Sequence, residues 1–215
     1  MSEQAVAGMP RINEPAPNFE ANSTHGPIKL EDFKGHWVVF FSHPADFTPV
    51  CTTEFVAFAK HAGEFEKLGV KLVGLSIDSV YSHIAWVRNI EQNFGVEIPF
   101  PVIADLDMKV AQKYGMIHPE AAGTATVRAV FVIDPTLHIR AMIYYPLSNG
   151  RSVDEIVRLV TALQTTDAHG RATPENWHPG EKVIVPPPLT TEDAKQRVRA
   201  GFEMKDWYFS KTDLK

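Results

Sequence analysis

Two kinds of hydrophobic pattern alternate along residues 1–166. Continuous apolar runs bounded by glycine or proline are typical of strands that are buried on both faces. The clearest run is WVVFFS at 37–42, which lies between Gly35 and Pro44. Further strands are predicted at 28–34, 71–78, 100–105, 129–134 and 139–145. The last two of these flank a Pro-Thr pair, which predicts a hairpin.

The segments between these strands carry the periodicity of amphipathic helices. Just after position 51, apolar residues recur on one helix face, at Phe55, Phe58, Ala59, Ala62 and Phe65. Further helices are predicted around 84–90, 109–114 and 152–164. Strand–helix alternation that ends in a hairpin and a helix predicts an α/β domain, a thioredoxin-like fold with a mixed central sheet flanked by helices.

The character of the sequence changes at about Asp167. The tail contains many prolines, a polar helix predicted near 191–200 and the aromatic run WYF at 207–209. Such a segment is too short and too rich in proline to bury a core of its own. We therefore predict a main domain over 1–166 and an extended C-terminal arm or small domain over 167–215, whose aromatic residues dock on the main domain or on another subunit.

The composition of the chain excludes several classes of protein. Its 215 residues (24.0 kDa) are enough for one sizeable core. A formal net charge of −5, without a Lys/Arg cluster, argues against a nucleic-acid partner. The sequence has no long apolar run and no basic leader followed by an apolar segment, so we expect a cytoplasmic protein that neither spans a membrane nor is exported.

Cysteine occurs once in the chain, as Cys51. One cysteine cannot form a disulfide within its own chain, and without a Cys-x-x-Cys pair neither a dithiol motif nor a thiolate zinc cage can form. The histidines include no pair at i, i+4 on one predicted helix face, which is a common metal-ligand spacing. We therefore expect no metal site and no cofactor.

The position of this cysteine favours a reactive thiolate. Thr48 is a predicted N-cap and Pro49 the first helical residue, which makes Cys51 the third residue of a helix. Free thiols have a pKa of about 8.5, and a helix N-terminus with a cation nearby favours the thiolate form. The alternative is an inert, buried cysteine that packs as a small hydrophobic residue. The coincidence of a cap, an inward helix face and a preceding buried strand favours the reactive form.

The residues around the cysteine resemble a known active-site motif. Pro44-x-x-x-Thr48-x-x-Cys51 is similar to the signature of the peroxiredoxins, and SHPADFTPVCTTE resembles the one-cysteine, peroxiredoxin-six-like subgroup, close to its prokaryotic thiol peroxidases. The resemblance continues along the chain in APNFEANS, LSIDS, PFPVIAD, VRAVFVIDP, GRSVDEI and IVPPPLTTEDA.

The resemblance implies a role for each matching residue. Cys51 would be the peroxidatic cysteine, which attacks a peroxide and becomes a sulfenic acid. Thr48 would hydrogen-bond the peroxide, and Pro44 would shield the sulfur from water. Arg128 would stabilise the thiolate and the charge that develops on the peroxide oxygens. Taken alone, Arg128 could equally be an exposed charge at a strand end.

The resemblance also implies roles for three further residues, but the motifs around them are less specific. Glu54 would orient Arg128, although a carboxylate in a first helical turn is also favoured by the helix dipole alone. Arg151 resembles a second arginine near the pocket, or else an ordinary residue before a helix. His43 resembles the subgroup's histidine beside the shielding proline and would contact the sulfur or its oxidised forms.

The resemblance also implies the partners. The substrates would be hydrogen peroxide or an alkyl hydroperoxide. Some relatives carry a resolving cysteine in the arm, but the arm here, GFEMKDWYFSKTDLK, has none, so the sulfenic acid would need an external thiol such as glutathione or a thioredoxin-like protein. A homodimer, assembled further into a decamer, is expected, with arm aromatics buried across the dimer boundary at Trp177, Phe202, Trp207 and Tyr208.

Two other functions remain open at this stage. One is a redox-regulated holdase or peroxide sensor, which would share the cysteine but not catalyse turnover. The other is a cysteine hydrolase, for which His43 is the only histidine close to Cys51 in sequence. A hydrolase would give no reason for the proline and threonine of the signature.

Overall fold

The computed structural model describes residues 9–214. The chain divides into two compact units between Val153 and Asp154. The predicted boundary after residue 166 falls inside the helix Val153–His169, and the division into 1–166 and 167–215 stays a prediction. The expected absence of a leader falls partly on residues 1–8, outside the described range.

The first unit is built on a seven-stranded mixed sheet in the order β2-β1-β5-β4-β3-β6-β7. Its strands are β1 Glu20–Ser23, β2 Gly26–Lys29, β3 Trp37–Ser42, β4 Val70–Ser76, β5 Val102–Ala104, β6 Arg128–Ile133 and β7 Ile139–Tyr145. The central β3 pairs in parallel with β4 and antiparallel with β6, and β6 and β7 form the predicted hairpin. The mixed α/β architecture expected from the sequence is therefore present.

Helices connect the strands of this unit. They are α1 Pro49–Lys60, α2 Ala62–Lys67, α3 Val80–Phe94, α4 Lys109–Lys113 and α5 Pro119–Ala122, with a 3₁₀ turn at Leu30–Phe33. The sequence predicted one helical face through Phe65, but the helix is interrupted at His61, which ends α1 and caps α2. The predicted strand at 28–34 is also shorter than expected. It ends at Lys29, because Leu30–Phe33 form the 3₁₀ turn.

The central strand is buried on both faces, as its apolar run predicted. Phe40 packs with Phe19, Tyr114 and Phe131 in the core on one side of the sheet. On the other side the ring of Phe41 stacks on Phe58 of α1, with 4.1 Å between ring centroids. Burial of these aromatic side chains fixes α1 against the sheet.

A glycine in β4 allows the close approach of α1. A Cβ added at Gly74 would lie 3.3 Å from Cζ of Phe55 and 3.6 Å from Cζ of Phe41. The contact of 3.3 Å is shorter than an ordinary van der Waals contact between carbon atoms, so a side chain at this position would push Phe55 away. Gly74 therefore sets how near Phe55, one turn beyond Cys51, can come to the sheet.

The second unit has more structure than the sequence predicted. It contains α6 Val153–His169 from the second residue onward, a helix that runs past the predicted end at 164 because residues 165–169 hold no helix breaker, and Gly170 follows it with φ 57°. It also contains α7 Thr191–Arg197 and a three-stranded sheet in the order β8-β10-β9, formed by β8 Val183–Val185, β9 Glu203–Asp206 and β10 Phe209–Thr212. A buried cluster of Ala162, Trp177 and Val183 lies in this unit, so residues beyond 166 pack on α6, most of which the sequence assigned to the main domain.

The aromatic residues of the tail differ in exposure. Trp177 is buried in its own unit and donates from Nε1 to the carbonyl of Glu181 at 3.0 Å, so it is not available for a partner, contrary to expectation. Trp207 and Tyr208 are 42% and 55% exposed in the single chain. Their burial against another subunit stays a prediction. Within residues 9–214, every helix is too short or too polar to cross a bilayer.

Candidate active site

The first turn of α1 places the cysteine against the sheet. Thr48 is the N-cap, with extended φ −107° and ψ 146°, and Pro49 is the first helical residue, as predicted. The Thr48 hydroxyl does not cap the helix, because it donates to the carbonyl of Ala45 at 2.9 Å. A hydroxyl that donates in this way keeps its lone pairs for accepting a hydrogen bond. Thr48 is half-buried.

The only cysteine lies beside a buried guanidinium. Cys51 has no exposed surface and Arg128 is 2% exposed. Nη1 of Arg128 donates to Sγ of Cys51 at 3.4 Å. The structure thus brings together two residues that are 77 positions apart in the chain, as the resemblance implied. Among the described residues, the hydrogen bond to Sγ comes from arginine and not from histidine, which removes the basis for a cysteine hydrolase.

Glu54 lies between two arginines, one turn beyond the cysteine. Its Oε2 accepts from Nη1 of Arg128 and from Nη2 of Arg151, each at 2.7 Å. Its Oε1 accepts from the backbone N–H and from Nε of Arg151, each at 2.8 Å. Burial acts to raise the pKa of Glu54, but the hydrogen bonds and charge of Arg151, together with the charge of Arg128, hold it below its ordinary value. Glu54 is therefore an ionised carboxylate.

The two guanidinium groups are fixed by further contacts. Arg128 donates from Nε and Nη2 to the carbonyl of Leu147, at 2.9 and 2.7 Å. Arg151 donates from Nη1 to the carbonyl of Ala129 at 2.8 Å and lies over the ring of Phe41, 5.4 Å from its centroid. Two cations and one carboxylate leave this buried cluster with one net positive charge. A thiolate at the neighbouring sulfur would neutralise it.

Hydrogen bonds between β3 and the start of β6 set the distance between the cysteine and its arginine. The hydroxyl of Ser42 donates to the carbonyl of Val127 at 2.6 Å and accepts from the N–H of Ala129 at 3.1 Å. The hydroxyl of Thr126 donates to the carbonyl of His43 at 2.7 Å. Sequence reasoning missed Ser42 and Thr126, because a buried hydroxyl in a strand carries no local signal of its long-range partner.

Pro44 and His43 lie in the loop from β3 to α1. Pro44 is half-buried, and its predicted shielding of the sulfur stays a prediction. His43 is fully buried, and its Nε2 lies 2.9 Å from Oδ1 of Asp46. Its Nδ1 has no hydrogen-bond partner among the described residues. Burial lowers the pKa of His43 and outweighs the hydrogen bond and charge of Asp46, so the ring is neutral.

A second histidine, which sequence reasoning missed, completes this cluster. His83 of α3 is buried, and its Nδ1 lies 2.8 Å from Oδ2 of Asp46. One potential ligand atom from each of His43, Asp46 and His83 lies within 4.8 Å of the others. A search for histidines at helical spacing could not find this group, because it joins a loop to a helix 37 residues later.

Models of known families match both parts of the chain. The model of the AhpC/TSA family matches residues 12–142. The model of the C-terminal domain of 1-Cys peroxiredoxin matches residues 162–201.

Curated proteins and solved structures are similar over nearly the whole chain. A peroxiredoxin of Aquifex aeolicus is 60% identical over 217 residues, covering 96% of this chain and 98% of that protein. A peroxiredoxin of Methanosarcina mazei is 53% identical, covering 93% and 96%. The structure of a yeast mitochondrial 1-Cys peroxiredoxin superposes with a TM-score of 0.86 at 43% identity, covering 96% of this chain and all of that one. Peroxiredoxin 6 of Arenicola marina gives a TM-score of 0.86 at 38% identity, covering 95% and 98%.

These similarities confirm the predicted thioredoxin-like fold with a mixed sheet and an added C-terminal region.

Proposed function

The chain belongs to the peroxiredoxin family, the thiol peroxidases, and on that premise we propose that it reduces hydrogen peroxide and organic hydroperoxides at the sulfur of Cys51. The observation that carries the proposal is the contact of 3.4 Å between Nη1 of Arg128 and Sγ of the only cysteine. A guanidinium cannot lose its proton near neutral pH, so it supports an anion and cannot serve as a base.

Charge at the site favours the nucleophilic form of the cysteine. Arg128 and Arg151 share one carboxylate, Glu54, in a buried cluster. The first-turn N–H groups of α1 add the positive end of the helix dipole at Cys51. In a site of low dielectric these charges act more strongly than they would in water. The thiolate is the form of Cys51 that completes the charge balance.

The thiolate would attack the terminal oxygen of the peroxide. An S–O bond forms, the O–O bond breaks, and the leaving alkoxide or hydroxide takes up a proton to become alcohol or water. The sulfur is oxidised by two electrons to a sulfenic acid and the peroxide is reduced by two. Arg128 stabilises charge on both oxygens, while Thr48 accepts a hydrogen bond from the peroxide O–H.

The remaining predicted residues support this step. Glu54 and Arg151 act as positioning residues, because they hold the guanidinium of Arg128 against the sulfur without contacting it. Pro44 limits the access of water. His43 accepts a hydrogen bond from the oxidised sulfur through its unpartnered Nδ1.

An external thiol would complete the cycle. The sequence has no second cysteine to resolve the sulfenic acid. A thiol would displace the hydroxyl as water and leave a mixed disulfide, and a second thiol would release Cys51. The yeast relative is described as resolved through glutathione/thioredoxin systems, and we propose the same class of reductant here. A compartment rich in thiols suits this cycle, so the proposal keeps the cytoplasm as its location.

The proposed assembly is a homodimer that associates further into a decamer. The exposed aromatics Trp207 and Tyr208 support a subunit contact, since clustered aromatic residues on a surface are typical of interfaces.

A single-turnover experiment tests the proposed reaction. The reduced protein is mixed with one equivalent of hydrogen peroxide, quenched at increasing times and treated with a sulfenic-acid trap before mass spectrometry. We expect stoichiometric trapping on Cys51, at a rate at least about 10³ times that of free cysteine, given typical effects of a positioned oxyanion donor and a thiolate. Cys51→Ser is the control and should trap nothing. A thiol that reacts no faster than free cysteine would contradict the proposal.

A further inference from the structure

Three buried polar side chains form a chain of hydrogen bonds behind the loop that carries the active-site proline. Asp46 lies in the middle, with side-chain exposure of 1%, and both histidine side chains have none. Nε2 of His43 lies 2.9 Å from Oδ1 of Asp46. Nδ1 of His83 lies 3.0 and 2.8 Å from the two carboxylate oxygens.

The partners of His83 determine its protonation state. Its Nδ1 faces the carboxylate of Asp46, and its Nε2 faces the carbonyl oxygen of Ile103 at 3.1 Å. A carbonyl oxygen and an ionised carboxylate can only accept hydrogen bonds, so both ring nitrogens must donate. A neutral imidazole has one N–H, and only the imidazolium has two. The geometry therefore requires His83 to be a cation paired with Asp46.

Asp46 itself is ionised. Burial acts to raise its pKa, but the hydrogen bonds from His43 and His83, and then their charges, hold the pKa of this carboxyl well below its ordinary value. A buried carboxylate with two N–H donors and one cationic neighbour meets the condition under which such a charge is tolerated.

His43 is held in one neutral tautomer by the same cluster. Its Nε2 donates to Asp46, while its Nδ1 is buried without a hydrogen-bond partner among the described residues. The single negative charge of Asp46 is balanced by one imidazolium, and a second would leave the buried cluster with a net positive charge. Because His83 supplies that cation, His43 keeps a single N–H on Nε2 and a free lone pair on Nδ1.

The charges around His43 explain why the second histidine is needed. The carboxylate of Asp78 lies close by, where it accepts from the N–H of Asp46 at 3.1 Å and from the hydroxyl of Ser76 at 2.6 Å. Asp46 and Asp78 both favour protonation of His43, whereas burial and the charge of His83 oppose it. The other rings packed on His43, those of Phe55 and Trp86, carry no charge.

We propose that His83 is a positioning residue of the peroxidase site, whose imidazolium neutralises Asp46 and thereby keeps His43 uncharged with Nδ1 free to accept. The inference rests on the proposed function, in which that lone pair receives the hydrogen bond of the oxidised sulfur. A protonated His43 would have no lone pair to offer, so the sulfenic acid would lose its acceptor.

The distances in the cluster suit protons better than a metal ion. Zinc bound at about 2.0–2.1 Å in tetrahedral geometry separates its ligand atoms by roughly 3.3 Å. Here the nitrogen–oxygen separations are 2.8 to 3.0 Å, which are hydrogen-bond lengths. Zinc would also require a lone pair on each of the histidine nitrogens that now donate to Asp46.

The protonation states can be measured directly on the reduced, unmodified chain. Histidine is labelled with ¹⁵N, and the ring signals are recorded from about pH 6 to about pH 8, the range in which ordinary histidines titrate. From the hydrogen-bond partners we expect N–H signals on both nitrogens of His83, and on His43 a protonated Nε2 and a bare Nδ1. A bare Nδ1 on His83, or a doubly protonated His43 above neutrality, would overturn the inference. Saturable loss of the N–H signals on adding Zn²⁺ would overturn it as well, in favour of a metal site.

The variant His83→Gln tests the link to His43. Without the cation, Asp46 should draw a proton onto His43, so that its titration midpoint rises by at least about one pH unit, a tenfold change in proton affinity. The lifetime of the free sulfenic acid, measured by adding the trap at increasing delays, should then become shorter toward acid pH, whereas the wild-type lifetime should not change with pH. His118→Gln, at a half-buried histidine that caps α5 and stacks on Tyr144, is the matched control. A His43 signal that stays neutral in His83→Gln would refute the link.

These measurements separate the two hypotheses. If His83→Gln does not fold, the wild-type ring signals still decide the protonation states. If Cys51 proves unreactive toward peroxide, the proposed function fails, while the ring signals of the reduced protein are unaffected.

Discussion

At the scale of single residues, Arg128 combines several contacts that only a planar guanidinium can make together. It donates to Sγ of Cys51, to Glu54 and twice to the carbonyl of Leu147. A lysine ammonium has the same charge but no rigid fork, so it cannot keep all of these partners in one geometry. The position therefore demands shape as well as charge.

We predict that Arg128→Lys lowers the rate of Cys51 oxidation by about 10²–10³-fold, comparable to the loss of one oxyanion-hole donor. Arg128→Ala should lower it further. The rate is measured by stopped-flow mixing with hydrogen peroxide, with circular dichroism and thermal unfolding to confirm the fold. Arg140→Lys, on β7 and outside the site, is the control. A rate for Arg128→Lys within twofold of wild type would show that charge alone suffices.

The ionised Glu54 should also make the free energy of unfolding depend on pH. Its folded pKa is depressed, so its contribution is present above the unfolded value of about 4.3 and is lost as the pH falls through the folded value. We expect Glu54→Gln to lower the free energy of unfolding near neutrality by about 3–5 kcal/mol, as for one partner removed from a buried pair.

Urea titrations of wild type and Glu54→Gln at a series of pH values check this prediction. The difference between the two proteins should be constant above about pH 5 and shrink toward acid pH. A difference that grows on acidification would mean that Glu54 is not ionised in the folded protein.

At the scale of elements, apolar runs proved more informative than apolar periodicity. WVVFFS specified a strand buried on both faces because its first five positions are all apolar, and β3 is such a strand. The periodic segment after Cys51 hid the break at His61, since a single helix-compatible residue can end one helix and begin the next. The short strands β8, β9 and β10 were missed because polar and proline-rich neighbours conceal runs of three or four residues.

The same distinction holds within the candidate site. Cys51, Thr48 and Pro44 lie within one short motif, so their proximity could be predicted from the sequence. Arg128 was predictable only through the family resemblance. His83 was not, because nothing near it in the sequence indicates Asp46 as its partner.

The close packing of α1 on β4 gives a prediction at this scale. We expect Gly74→Val to destabilise the protein by about 1–3 kcal/mol, as in other overpacked cores, because its side chain collides with Phe55. Displacement of α1 should also slow the oxidation of Cys51. Urea unfolding and the stopped-flow rate measure the two effects.

Gly74→Ala serves as the graded comparison for Gly74→Val. Its single Cβ requires Phe55 to move by only a few tenths of an ångström. It should therefore affect both stability and rate less than valine does. Equal, negligible effects of alanine and valine would mean that α1 adjusts without consequence for the site.

At the scale of the whole molecule, the single cysteine limits what the chain can do without a partner. We predict that one equivalent of hydrogen peroxide per chain is consumed in a fast burst without a thiol, and that any further consumption is the slower oxidation of the sulfenic acid to sulfinic acid. Glutathione or a thioredoxin system, present from the start, should sustain turnover. Peroxide consumption by the reduced protein measures the burst. Continued turnover in the absence of any thiol would contradict a one-cysteine cycle.

Self-association should depend on the exposed aromatics of the tail. We expect the double variant Trp207→Ser, Tyr208→Ser to dissociate at protein concentrations where the wild type remains a dimer or larger, because loss of buried aromatic surface weakens an interface. Analytical ultracentrifugation measures the masses. Tyr81→Ser, at an 80% exposed tyrosine of α3, is the control. An unchanged mass distribution for the double variant would place the interface elsewhere.

The ties of Glu54 have a mechanical consequence for regeneration. A mixed disulfide needs the two Cα atoms within about 7 Å, which a protein reductant cannot achieve while the sulfur has no exposed surface. If the proposed reductant is a protein, the start of α1 therefore has to unwind, breaking the bond of 3.0 Å from the N–H of Thr52 to the carbonyl of Thr48. Glu54 acts as a stop to that unwinding, since two arginines anchor it one turn further on. Only the first turn of α1, before Glu54, would then unwind, and it could refold on the part of the helix that Glu54 holds in place.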